Sequence, residues 1–350
     1  MGCFENMRTF WDSLDRKRQL IWRCHLVCLI VHLGWSMLTS AAIGQRDPAL
    51  FTVPVYRLQT QWPLVGSACG VENNFPLRID ILTTLFFALS ATSHAYVVVI
   101  GFVSCGERVL WSPLERGFAP HRWVEYSLSA SVMIVALAIL TGLREEKTLA
   151  LLFALMWQTN AFGLITELCT LPFLEDFCYE NRQKRWIFPT VKKAVYPVYL
   201  SLGKWSNARW ERLFPHLLAW PGYVLMWGVI LVNYNQQLDF LMATNLELFH
   251  AVHSYVDVAL YGTIIFFTSF AVPQLWFMLQ AGPHHFWCVE LTYCALSLTS
   301  KSFLGAILLI NVLYASSFAD SLASFDNKAV PDAFSTNLAL QSLMNNLPKM

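Results

Sequence analysis

One lysine stands alone in an apolar setting near the C-terminal end: Lys301, in Ala295-Leu296-Ser297-Leu298-Thr299-Ser300-Lys301-Ser302-Phe303-Leu304. If that stretch crosses a membrane, its ammonium is too deep to reach either surface, which makes it a functional group by default. Three chemistries are open to it: one half of a buried ion pair, a substrate or proton site of a transporter, or a Schiff base with an aldehyde. In the last case the protonated nitrogen needs an anion within a few ångströms. The best carboxylate for that role is Glu125, in Arg122-Trp123-Val124-Glu125-Tyr126-Ser127-Leu128-Ser129-Ala130-Ser131. Ser129 follows it by one helical turn and Arg122 precedes it by one, so all three share a face. The alternative for Glu125 is a carboxylate reaching the near interface beside Arg122. Glu290 precedes Lys301 by eleven residues, about 16 Å along a helix axis and out of contact. Glu167, Glu247 and Asp257 lie on stretches whose facing the pattern leaves open. His32 and His94, the latter one turn after Ser90, put two imidazoles at similar depth, either satisfied buried rings or a proton store.

The elements that must position these groups follow from composition. Of 350 residues, 56% are hydrophobic and only 13% charged, with a mean hydropathy of +0.45, so charge is too scarce to cover a soluble surface of this size. The chain reads as a polytopic membrane protein of the all-α class. A net charge of +1 gives no basic field for nucleic acid. The nine cysteines are odd in number, lack a CxxC pair and fall mostly in apolar stretches (Cys24, Cys28, Cys169, Cys288, Cys294), so neither a disulfide framework nor a metal site is expected. No catalytic set suggests an enzyme.

A spanning helix needs roughly 20 apolar residues, and seven stretches qualify: 20–43, 79–103, 121–143, 148–171, 216–234, 246–272 and 286–315. The fifth is the shortest, with Pro221 near its start. The first is too long for the h-region of a cleaved signal. With the N-terminus in the cytoplasm, sixteen Lys and Arg fall on the cytoplasmic side and seven outside, which sets that orientation and puts the C-terminus outside. Half of the sixteen lie in one long loop.

The domain reading is a cytoplasmic N-terminus over 1–19, a membrane domain over 20–315 and a flexible tail over 316–350. In the outer loop 44–78, the alternation of Val55-Tyr56-Arg57-Leu58-Gln59-Thr60-Gln61-Trp62 predicts a strand in a small β-hairpin, with Tyr56, Leu58, Thr60 and Trp62 on one face. The cytoplasmic loop 172–215 mixes basic residues with Trp186, Phe188, Tyr196, Tyr199, Trp205 and Trp210. It reads either as an interfacial segment along anionic lipid or as a solvated charged loop. No repeat of transporter type is visible. The N-terminal sequence lacks a myristoylation signal, though Cys3 is open to palmitoylation.

Together these residues resemble the heliorhodopsins, the inverted branch of microbial retinal proteins. The resemblance rests on the Arg122-Trp123-Val124-Glu125-Tyr126-Ser127 block, its Ser129-Ala130-Ser131-Val132-Met133-Ile134 continuation, Gln158-Thr159-Asn160-Ala161-Phe162-Gly163, and Ser297 four residues before Lys301. It implies a seven-helix bundle of rhodopsin type in which Lys301 binds all-trans retinal and Glu125 is the counterion. Ser129 and Ser297 would line the Schiff base. Ser90, His32 and His94 would handle its proton, and Met133, Trp157, Tyr261 and Phe267 would wall the pocket. The implied function is a light sensor with a slow photocycle; the alternative is light-gated or light-driven proton or ion transport. A third reading keeps Lys301 and Glu125 as a plain ion pair in a retinal-free transporter or receptor. A homodimer is the family habit, and loop 172–215, longer than expected for the family, reads either as the site of a cytoplasmic partner or as a simple insertion. Because Glu125 lies only a few residues past Pro120, the depth match calls for the seventh span to enter the membrane near Glu290 or, less favoured, for the chromophore to sit towards the cytoplasmic half. Outward pumps on related scaffolds carry a second carboxylate three turns past the counterion and an aspartate four residues before the lysine. Here those positions are Ala136 and Ser297.

The charge bias predicts that a tag at Met350 is reachable from outside intact cells and a tag at Met1 is not; the opposite accessibility refutes the orientation.

Overall fold

The computed structural model of the chain describes residues 15–44, 52–59, 70–103, 106–115, 117–178, 209–244, 246–279 and 286–310. Cys3, much of loop 172–215 and the tail 316–350 lie outside them. Helix α1 runs Arg16–Gly44; strands β1 (Thr52–Gln59) and β2 (Gly70–Arg78) lead into α2, Ile79–Ile100. A π-helical turn, Glu107–Trp111, and one α-turn, Ser112–Glu115, precede α3, Pro120–Leu140. Then come α4 (Glu146–Cys178), α5 (Arg209–Thr244), α6 (Leu246–Ser269, continued by Ala271–Leu279) and α7 (Phe286–Leu308). Among the described residues, seven helices are long and apolar enough to span a bilayer, and the protein is an integral, multi-pass membrane protein.

Each helix packs on its sequence neighbours, and α7 closes the ring against α1. α3 sits inside it, touching α2, α4 and α6. Its most apolar stretch is 89% buried, against 22–44% in the other six. A helix covered on nearly all sides is the one place where a polar group can be shielded from lipid whichever way it points.

The ends of the elements have local causes. Gly142, at φ +91°, ends α3 in a left-handed turn that lets the Leu143 N–H donate to Ala138 O at 2.9 Å and the Gly142 N–H to Ile139 O at 3.0 Å. Glu145 caps α4, accepting from the Thr148 N–H at 2.5 Å and its hydroxyl at 2.7 Å. Burial disfavours the Glu145 charge, but the Thr148 bonds and the nearby Lys147 outweigh it and hold the carboxyl below its usual range. α6 breaks at Phe270, where Pro273 neither donates to Ser269 O nor leaves room for it. α5 is the longest helix instead of the shortest span: Pro215 and Pro221 both lie inside it, and polar residues at its two ends (Arg209, Glu211 and Arg212; Gln236, Gln237 and Asp239) shortened the sequence reading without ending the helix.

The hairpin is antiparallel, with Thr52 opposite Arg78 and a bulge between Val55 and Tyr56. The strand begins three residues before the expected Val55, and Thr60, Gln61 and Trp62 lie outside the described residues. Val53 and Val55, on the other parity from the predicted apolar set, are buried in the main core. Close packing elsewhere depends on missing side chains: a Cβ at Gly163 would overlap the Trp123 ring, which seats α3 against α4.

Candidate functional site

Glu125 and Lys301 meet inside the bundle. Lys301 Nζ donates to Glu125 Oε1 at 2.5 Å and to Ser297 Oγ at 3.1 Å. The same Oε1 accepts from Ser129 Oγ and Ser90 Oγ, each at 2.6 Å. The arrangement follows from helical spacing: Ser297 and Lys301 are one turn apart on α7, Glu125 and Ser129 one turn apart on α3. α2 supplies Ser90 from across the α2–α3 contact. Glu125 and Lys301 are almost fully buried, so each charge needs the other. Glu290 lies one turn inside α7 and is buried.

Arg122 does not belong to this cluster, although it shares a helix face with Glu125. It pairs with Glu167 of α4 and Glu290 of α7, and lies 4.1 Å over the Tyr293 ring. Glu167 also accepts the Ala119 N–H at 2.9 Å. Glu125 is therefore no interfacial partner of Arg122, and Glu290 and Glu167 have a place the sequence left open. Asp257 accepts from Tyr234 OH at 2.6 Å, away from Lys301; the Glu247 side chain lies outside the described residues.

Histidines bridge the two charged clusters. His94 Nδ1 is 2.9 Å from His25 Nδ1, and His25 Nε2 is 3.3 Å from Glu290 Oε1. His32 stacks on His94 with ring centroids 5.3 Å apart. His32 is fully buried and neither of its ring nitrogens has a hydrogen-bond partner among the described residues. Sequence reasoning found His32 and His94 and missed His25, two turns before His32 on the same helix. Its signal was that seven-residue spacing, which puts both rings on one face of α1. It also missed that Cys24, Cys28 and Cys294 converge.

Beside Lys301 lies a cavity with mostly apolar walls. Five helices line it. Met133 of α3, Met156 of α4, Trp220 and Tyr223 of α5 and Phe267 of α6 give it apolar walls, and Lys301 and Ser129 open into it. Met133 and Phe267, two of the expected pocket walls, line this cavity. Trp157 and Tyr261 do not: they are 49% and 47% exposed on the outer surface of the bundle. On helices apolar on both faces, composition carries no rotational phase, and the cavity positions are Met156 on α4 and Phe267 on α6. His216 and Gln274 form a polar part of the lining, His216 Nδ1 being 3.0 Å from Gln274 Oε1 while Gln274 Nε2 donates to Gly163 O at 2.9 Å.

Two buried carboxylates depend on one guanidinium, so Arg122→Leu is expected to lower stability by about 3–5 kcal/mol, read as a fall in the unfolding temperature in detergent. Replacing Glu167 and Glu290 with leucine in the same chain restores much of that loss. A single Arg122→Leu with unchanged stability contradicts the ion-pair account.

Residues 25–188 match the family model Heliorhodopsin, a stretch that holds Glu125, Ser129, Ser90, His32 and His94. No curated protein matches the chain. Among solved structures, cyanorhodopsin from the cyanobacterium Calothrix sp. superposes with a TM-score of 0.51 at 12% identity, over 87% of this chain and 98% of that one. At that identity the likeness speaks for the fold alone, and the fold is the seven-helix rhodopsin bundle. The family match over residues 25–188 and the rhodopsin-type bundle together support a heliorhodopsin reading of the chain.

Proposed function

We propose that the chain is a light sensor in which Lys301 holds all-trans retinal, Glu125 is the counterion, and a slow photocycle carries a signal without outward ion pumping. The family match and the rhodopsin-type fold support a retinal photoreceptor at the level of the family. The observation that carries the residue-level reading is Lys301 Nζ, which lines an apolar cavity and touches a buried carboxylate at 2.5 Å. The cavity suits a slender, apolar, aldehyde-bearing ligand: aromatic and methionine walls for its length, one amine for its aldehyde, and an anion for the positive charge left on the nitrogen. Joined to Lys301, retinal supplies a visible absorption band and a light-driven change of shape.

The residues around it do the rest. Ser90 and Ser129 hold Glu125 Oε1 in place by donating to it, which keeps the anion fixed and localised on the oxygen facing Lys301. A proton leaving the Lys301 nitrogen meets Ser90 and, one turn further along α2, His94. His94, His25 and His32 form an imidazole store able to hold it. Relay to the opposite surface lacks a carrier on α3, where Ala136 is buried and no acid occurs between Glu125 and Glu145.

The string His94, His25, Glu290 favours a second reading, light-gated proton conduction, because its neighbouring atoms lie 2.9 and 3.3 Å apart.

With all-trans retinal added, Lys301→Ala protein is expected to show no visible band. Glu125→Gln is expected to absorb in the near ultraviolet at neutral pH and regain visible absorption only as pH falls, since the cation has lost its anion. Colour in Lys301→Ala, or an unshifted titration in Glu125→Gln, refutes the assignment. Voltage clamp separates the two readings: the sensor gives no sustained photocurrent, whereas a light current that reverses with the proton gradient, or persists against it, establishes transport.

A further inference from the structure

Away from the Lys301 cavity, three thiols from two helices converge. Cys24 and Cys28 lie one turn apart on α1, Cys294 faces them from α7, and their sulfur atoms all lie within 4.8 Å of one another. Cys28 and Cys294 are buried and Cys24 is half-buried. Three sulfurs bound to one ion at about 2.3 Å stand roughly 4 Å apart, so small side-chain rotations close this set on a single centre. A lone buried cysteine behaves as a small hydrophobe; three pointing at one another across a helix interface form a soft ligand set. The photochemical reading uses none of them.

Soft thiolates select Cu(I), Zn(II) or iron–sulfur centres. Zinc takes four ligands, and the nearest fourth donor, His25 Nε2, stands 3.4 Å from Cys294 Sγ but also 3.3 Å from Glu290 Oε1. A three-coordinate monovalent ion needs the thiols alone, with no nitrogen or oxygen ligand to recruit. We propose that Cys24, Cys28 and Cys294 bind one soft monovalent ion of the Cu(I) class, which ties α1 to α7. As each copper–sulfur bond forms, that thiol's proton passes to water; the copper stays Cu(I) and no electron moves. Cys24, half-buried, is the sulfur an arriving ion meets first. Cys294 is two turns before Lys301 on α7, so the bound ion fixes how that helix sits against α1. The site is independent of whether Lys301 carries a ligand.

The test uses purified full-length protein, reduced and without retinal, titrated with Cu(I) in competition with bathocuproine. One ion per chain is expected, with sulfur-only ligation by X-ray absorption. Cys24→Ser and Cys294→Ser are expected to weaken binding by about 100-fold or more, beyond what loss of an outer-shell group costs. Cys169→Ser and Cys288→Ser keep it. Circular dichroism of Cys24→Ser, the least buried change, separates a lost ligand from a lost fold. Absence of chelator-resistant Cu(I) in the parent protein overturns the site, as does equal binding by folded Cys24→Ser. Preferred uptake of Zn(II) with a nitrogen ligand overturns the monovalent assignment.

Discussion

A cation in the middle of a bilayer protein must be neutralised where it stands, and that constraint organises this bundle around Lys301 and Glu125. Moving either charge alone out of water costs several kcal/mol even after relaxation, and neither side chain is long enough to escape to a surface. The carboxylate is accordingly on α3, the one helix enclosed on nearly all sides. Three donors converge on a single oxygen of Glu125: Lys301, Ser90 and Ser129. Three helices are thus held in register by one atom, and the cavity opens directly beside the amine.

A second charged layer, Arg122 with Glu167 and Glu290, lies one turn away on α3 yet stays separate. The separation has a functional consequence. If Arg122 reached Glu125, the carboxylate would divide its charge between two cations, and Lys301 would lose part of its counter-charge. Glu167 and Glu290 engage the guanidinium instead. His25 links His94 to the second layer through its 3.3 Å approach to Glu290.

What the sequence made legible, and what it hid, divides along a physical line. Pairs within one helix were readable, because the 3.6-residue repeat puts Glu125 beside Ser129, Ser297 beside Lys301 and Ser90 beside His94. An ionisable residue deep in an apolar run was readable from its cost alone. Rotation was not: on α4 and α6 both the lipid face and the inner face are apolar, so Trp157 and Tyr261 were indistinguishable from Met156 and Phe267 until the helices were packed. Apart from Lys301 with Glu125, partners distant in sequence were hidden too, which is why Arg122 with Glu290, and Cys28 with Cys294, emerged only in three dimensions. Polar residues misled over α5, since Gln236, Gln237 and Asp239 lower local hydropathy without ending the helix.

The central claim is that the buried amine of Lys301 is where retinal attaches. Full-length protein incubated with all-trans retinal, reduced with borohydride under illumination, digested and mapped by mass spectrometry tests it at the bond itself. The account predicts a visible band that disappears on reduction and one retinyl adduct, on the peptide containing Lys301. A protein that never colours, or an adduct on any other lysine, contradicts it.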